Sequence, residues 1–294
     1  MTPRRRPRVG VAGWSYPDWK GTVYPKNIGV DALAYLVRFF ETIEINSPFY
    51  RIPSSLTTSS WAKRCRDNPE FRFTVKLFRG FTHERNASMA ELRAFQGALA
   101  PLAEAEVLGA LLLQFPWSFR NQATGRRYLD GLMTTFEDYP LVVEVRHASW
   151  NDPEFHVELR QRRVGFCNID QPVIGRSLAP SSLATGPVGY VRLHGRNYED
   201  WFSEEADQNQ RYDYLYSKQE LDPWMEKISE ISDHASETYV IANNHFRGQA
   251  VVNALQLRSR LERRRVEAHS TLLSHYPTLL SMVETDAPEQ GRLF

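Results

Sequence analysis

The chain has 294 residues, 42% hydrophobic and 24% charged, the balance of a soluble globular protein rather than of a disordered or fibrous one. A formal net charge of +1 excludes any global pull toward nucleic acid or anionic membrane, so binding of that kind needs a local patch. No apolar run is long enough to span a bilayer, and the basic start MTPRRRPR lacks the apolar core of a secretory signal. Two cysteines, Cys65 and Cys167, read as thiols in a reducing, cytoplasmic setting.

Taken in chain order, residues 1–7 form a basic tail, and short β-branched or apolar runs then recur. Strands are predicted at 8–13 (RVGVAG), 42–46, 71–77, 108–115, 141–147, 164–170, 188–194 and 238–243. Amphipathic patterns between them predict helices at 31–40, opened by the acid Asp31, and at 54–66, 88–105, 121–137, 153–163, 220–232 and 247–264. The connection QPVIGRSLAPSSLATGP, rich in Pro, Gly and Ser, predicts no helix. RSRLERRRVEAH (258–269) reads as the solvated face of a terminal helix, and TDAPEQGRLF as a loose end. Eight buried strands alternating with helices point to an α/β fold, a (β/α)8 TIM-type barrel. It forms one domain over 8–265, followed by a C-terminal extension, 266–294. An open doubly wound sheet is the rival, but VGVAGW lacks the G-x-G-x-x-G spacing of a phosphate turn.

Residues two apart on a strand share a face. On that rule Glu44 pairs with Asn46, Thr74 with Lys76, Glu144 with Arg146, Asn168 with Asp170, and Arg192 with His194. Gln114 ends the fourth strand and Asn243 follows the eighth. These polar residues gather at strand C-termini, the face on which barrels build their sites. A buried salt-bridge network is the plainer alternative, although such networks gain little net stability. Glu44 and Glu144, opposed across the barrel, suit general acid and base work if their surroundings separate their pKa values. Lys76 and His194 complete the candidate catalytic set, with Lys76, Arg146 and Arg192 stabilising negative charge.

RLHGR (192–196) and NNHFRGQA (243–250) follow strands seven and eight, where barrels often hold phosphate. Within the latter, Asn244 and His245 read as a capped turn. Aromatic loops carry Trp14, Tyr16, Trp19, Tyr24, Phe49, Tyr50 and Trp150, most as packing and two or three to touch a ligand. The eight histidines show no metal-ligand spacing, so no metal or other cofactor is predicted, with a divalent site assembled in space left open. G-x-S-x-G is absent.

GWSYPDWKGTVYP, TIEINSPFYRIPS, FRFTVKLFRGFTH, LLLQFPWSF, VVEVRHASW, YVRLHGR and NNHFRGQAVVNAL together resemble the domain-of-unknown-function family 72, the YecE-like proteins, from about residue 8 to 261. The resemblance implies a single (β/α)8-type barrel and names no reaction. Its family-like positions are Trp14, Glu44, Asn46, Tyr50, Lys76, His83 and Gln114, then Glu144, Arg146, His147, Trp150, Asp170, Arg192, His194 and Asn243. The segment NYEDWFSEEADQNQRYDYLYS looks longer and more acidic than is usual in such proteins.

Three functions stand open. The leading one is an acid–base enzyme, a hydrolase or an isomerase or lyase, acting on a small anionic or sugar-like, polyhydroxylated or phosphorylated substrate. A nucleic-acid-binding or processing protein is the second, by fold-level likeness to endonuclease IV-like barrels. A non-catalytic barrel binding a metabolite or a protein partner is the third. No membrane partner is expected.

Overall fold

In the computed structural model, which describes residues 6–26, 29–199 and 211–285, eight parallel strands close into a barrel in sequence order. They are β1 (Arg8–Ala12), β2 (Thr42–Ile45), β3 (Arg72–Lys76), β4 (Leu108–Gln114), β5 (Leu141–Glu144), β6 (Gly165–Asp170), β7 (Val188–Leu193) and β8 (Glu237–Ala242). Closure comes from β1 pairing with β8, Val9 opposite Val240. Each expected strand is present. β5 stops at Glu144, short of the expected 147, because the chain there bonds to the loop after β6: Leu178 N–H donates to the Arg146 carbonyl at 2.7 Å, and Ala148 N–H to that of Arg176 at 2.8 Å.

Around the barrel run α1 (Ala32–Val37), α2 (Ser47–Tyr50), α3 (Ser55–Arg64), α4 (Arg79–Thr82), α5 (Met89–Glu104), α6 (Ala123–Thr135), α7 (Pro153–Gln161), α8 (Lys218–His234) and α9 (Gln249–Glu262). Asp31 caps α1 by accepting from Ala34 N–H, and reciprocal Ser–Glu boxes open α5 and α8. The β6–β7 connection carries no helix, as its composition implied. Outward strand residues such as Ile43, Ile45, Phe73, Val75, Leu111 and Leu113 are fully buried against the helices. Such packing supplies most of the barrel's apolar burial.

The basic stretch after residue 257 departs from the expected helical face. Helix α9 ends at Glu262, where Arg263 turns left-handed (φ 52°), and Val266–Ala268 forms β9. After α10 (Ser270–His275), β10 (Val283–Thr285) pairs with β9 in parallel. Its arginines are tied down: Arg258 and Arg264 both pair with Glu262, and Arg265 Nε donates to the Val283 carbonyl at 2.9 Å. Val266, Leu272, Leu279 and Val283 join the same core as the barrel, so residues 266–285 are packed against it. Residues 1–5 of the expected tail, and the expected loose end from 286, lie outside the described residues.

Gly10 marks where β1 and β2 approach most tightly, since a Cβ there would stand 1.9 Å from the Thr42 carbonyl oxygen. Gly10→Ala is expected to force the two strands apart and to lower stability by at least about 1–3 kcal/mol. Urea unfolding checks this, and an unchanged midpoint would contradict it.

Candidate functional site

Beneath the C-terminal mouth lies an ionic layer whose carboxylates are fully buried. Arg192, on β7, reaches across the barrel axis and donates from one terminal nitrogen to Glu44 Oε1 at 2.7 Å. Its other terminal nitrogen donates to Glu144 Oε2 at 2.6 Å. Glu44 also accepts from the Tyr190 hydroxyl at 2.9 Å, which is in turn 2.6 Å from Thr74 Oγ1. Glu144 accepts from Arg146 Nε at 2.9 Å and faces His194 Nε2 at 3.5 Å. Asn243 donates its amide N–H to His194 Nδ1 at 3.0 Å.

Above this layer opens a cavity of about 1040 Å³. Its charged lining among the described residues is Lys76, Arg79, Arg146, Arg192 and Arg211, with no Asp or Glu. Glu44 and Glu144 sit beneath Arg192 and Arg146, whereas the solvent-exposed Glu84 pairs with Arg79 at 2.5 Å. Neither Glu44, Glu144 nor His194 borders the cavity. Aromatic walls come from Trp14, Tyr16, Phe49, Tyr50, Trp61 and Trp117. Buried side-chain oxygens of Asn46 and Gln171, both cavity residues, lack a hydrogen-bond partner among the described residues.

Electrostatics separate these groups. Burial alone would raise the Glu144 carboxyl, but Arg192, Arg146 and the His194 hydrogen bond together bring it well below the usual carboxylate range. Burial, with Arg192 and Arg146 beside it, lowers His194 to about 3, so it stays neutral. Lys76, the last residue of β3, falls to about 7, first through loss of hydration and then through the neighbouring Arg192. Its ammonium nitrogen rests 3.6 Å from the centroid of the Phe49 ring. His83, edge-on to the same ring, is lowered to about 4 by burial and then by Lys76.

The structure brings Trp14, Asn46, Tyr50, Lys76, His83, Gln114, Arg146, Arg192 and Asn243 to one cavity, most from strand ends or the residues just beyond them, Tyr50 from the end of α2 and His83 from the C-cap of α4. It does not bring His147, Trp150 or Asp170 there. Asp170 shares a face of β6 with Asn168 and points to the helix layer. It takes a two-pronged contact from Arg196 at 2.8 and 2.7 Å, the Tyr216 hydroxyl at 2.8 Å and Trp224 Nε1 at 2.5 Å. The opposite face of β6 carries Cys167, 3.8 Å from Glu144. Trp150 donates to the Phe119 carbonyl at 2.9 Å and stacks on that ring, while His147 accepts from Ser149 N–H and contacts Arg120. Asp170→Ala is expected to leave the barrel folded but to weaken the clamp on the loop after β7. Faster proteolysis between Arg196 and Tyr216 would register this, and unchanged cleavage would count against it.

Arg79, Trp61, Trp117, Gln171, Arg211 and Tyr212 were not singled out from the sequence. Arg79 and Trp117 lie three residues past the strand ends Lys76 and Gln114, a signal that was available. Trp61 sits on α3, and Arg211 and Tyr212 between β7 and α8, where strand parity says nothing. His245 reaches the cavity and stacks on Tyr16 at 4.3 Å, while its carbonyl accepts from Trp19 Nε1. Trp19 and Tyr24 are packing. Among the described residues no group of three or more His, Cys, Asp or Glu is placed to hold a metal ion, and no helix is long and apolar enough to cross a membrane.

Fold and mouth define the class first: a single-domain (β/α)8 barrel with a basic, aromatic-walled cavity at the C-terminal ends of its strands. A model of the family described as protein of unknown function DUF72 matches residues 8–287, and the chain belongs to that family. The UPF0759 protein YunF of Bacillus subtilis is 29% identical over 85% of this chain and 92% of its own length. The UPF0759 protein YecE of Escherichia coli is 25% identical over 65% of this chain and 64% of its own. A crystal structure of a DUF72 family protein from Thermotoga maritima superposes with a TM-score of 0.77 at 35% identity, covering 88% of this chain and 100% of that one. Another from Enterococcus faecalis gives 0.76 at 27% identity, covering 87% and 95%.

Proposed function

We propose that this chain is an enzyme that takes a small anionic compound, phosphorylated or polyhydroxylated, into the barrel mouth and acts on it by acid–base chemistry. One observation carries the reading: among the described residues the charged groups bordering the cavity are all basic, and the carboxylates paired with Arg146 and Arg192 lie beneath them, outside the cavity lining. Arg146 and Arg192, fixed from behind by Glu144, are aimed before any ligand arrives. Such preorganised donors stabilise developing negative charge without reorganisation. Lys76 is the group suited to move a proton, because its equilibrium lies near neutral pH. Glu44 and Glu144 hold the arginines in place, and Trp14 and Tyr50 offer flat faces to a sugar ring. No cofactor is invoked, and a cytoplasmic setting suits the two buried free thiols.

The test is a screen of sugar phosphates and polyhydroxy acids at low ionic strength, with inorganic phosphate titrated by calorimetry. Phosphate is expected to bind, and Lys76→Met to lower turnover of any substrate found by about 100-fold or more. Turnover unchanged in Lys76→Met, and in Glu44→Gln and Glu144→Gln alike, would end the reading.

A further inference from the structure

Building on the anion-binding reading above, we infer that Lys76 forms a covalent imine with its substrate, which is therefore an aldehyde or ketone carrying an anionic group. Four features of the site converge on this. Lys76 is the one lysine that lines the cavity among the described residues. Its nitrogen has no hydrogen bond or ion pair among those residues and lies over the Phe49 ring, an apolar seat that leaves the lone pair available once a proton departs. Arg146 and Arg192 line the same cavity, so an anion bound to them sits within the space that Lys76 faces. The position at the end of β3 fixes the stem of the side chain on the barrel wall. A pKa of about 7 supplies a substantial share of neutral amine at physiological pH, whereas an ordinary lysine is almost wholly protonated.

The steps balance. The Nζ lone pair attacks the carbonyl carbon, and the C=O π electrons move to oxygen. A proton passes from nitrogen to that oxygen, giving a carbinolamine. Protonation of the hydroxyl by solvent releases water and leaves a C=N bond bearing one positive charge. In the free site, loss of hydration and then the neighbouring Arg192 hold a substantial share of the amine neutral and nucleophilic. Once the substrate is seated, its anionic group offsets the charge of the iminium. An iminium in turn acidifies the neighbouring C–H, the chemistry an acid–base enzyme of this kind would exploit.

Reductive trapping tests the inference. The intact protein is incubated with glyoxylate, pyruvate or dihydroxyacetone phosphate and sodium cyanoborohydride, and the adduct is located by peptide mass spectrometry. At pH 7, Lys76 is expected to be modified at least tenfold faster than any of the five other lysines. Inorganic phosphate should slow that reaction, and its rate should rise with pH through a midpoint near 7. Phosphate binding is read beforehand by calorimetry without any carbonyl compound. If phosphate binds and Lys76 is modified no faster than the surface lysines, the imine is overturned while the anion pocket stands. If phosphate does not bind, the reading on which the imine rests has failed. Lys76→Met, with unchanged circular dichroism, should show only the slow labelling of the surface lysines, and a phosphate-sensitive fast adduct at another amine would overturn the assignment.

Discussion

Arg192→Met is expected to cost the protein about 3–5 kcal/mol in urea unfolding at pH 7, the range for stranding a buried charge whose partner is removed. Here one guanidinium serves two carboxylates, Glu44 at 2.7 Å and Glu144 at 2.6 Å, and both are fully buried. Methionine fills much of the volume but returns no charge. Acidification should act oppositely on the two proteins. In the wild type, the Glu144 carboxyl is held below its ordinary 4.5, so its contribution is present above that pH and is lost as pH falls below it. In the variant, protonating a stranded carboxyl removes the unfavourable charge, so the deficit shrinks as pH falls. The triple variant Glu44→Gln, Glu144→Gln, Arg192→Met should recover part of the loss, because the three fully buried charges are then gone while Arg146, partly exposed at the cavity, keeps its charge without Glu144. A single variant as stable as wild type would show that the ionic layer is not enclosed.

Lys76→Met should have the opposite effect and stabilise the fold. The side chain's folded-state pKa of about 7 stands below its ordinary 10.5, so the unfolded chain binds more protons between those values. Stability therefore drops as pH falls from 10.5 toward 7, and the full cost of the desolvated ammonium is present below 7. Removing it should add on the order of 2–4 kcal/mol at pH 6, as each tenfold displacement of a protonation equilibrium is worth ~1.4 kcal/mol. The gain should fade above pH 10. It should also narrow in the presence of inorganic phosphate, which pairs with the wild-type ammonium. Thermal melts of both proteins from pH 6 to 10, with and without phosphate, decide the matter. A destabilised variant at pH 6 would mean that Lys76 is a structural partner. A gain obtained only by giving up a reactive group is the usual signature of a site held at a cost in stability.

Strand parity served best where a strand is straight and its polar residues sit at its end. Glu44, Lys76, Glu144 and Arg192 all converge on the mouth or the layer beneath it, because alternation in a barrel admits only an inner and an outer face. The same rule groups Asp170 with the mouth residues, and the structure turns it outward instead. Parity groups it with Asn168 without saying which face is inward, and Tyr216 and Trp224, which receive it on the outer side, are distant in sequence. His147 and Trp150 carry the same polar and aromatic signals as the cavity residues. Their partners Arg120 and Phe119 come from the preceding β4–α6 loop, a tertiary pairing with no period to betray it. Arg211 reaches the mouth from between β7 and α8, where no strand period applies. The helix expected through residue 264 ended early because Arg263 adopts a left-handed turn and Val266 finds a strand partner in Val283.

If the mouth takes an anion as proposed, the cations that line it, with Glu44 and Glu144 beneath Arg192 and Arg146, make it a trap for whatever small anions the medium holds. Buffer composition then becomes part of every assay. By mass action, a competing anion at ten times its own dissociation constant weakens the apparent affinity of any other ligand about elevenfold. Purification in phosphate or citrate would hide weak ligands, whereas zwitterionic buffers at low ionic strength would let them be seen.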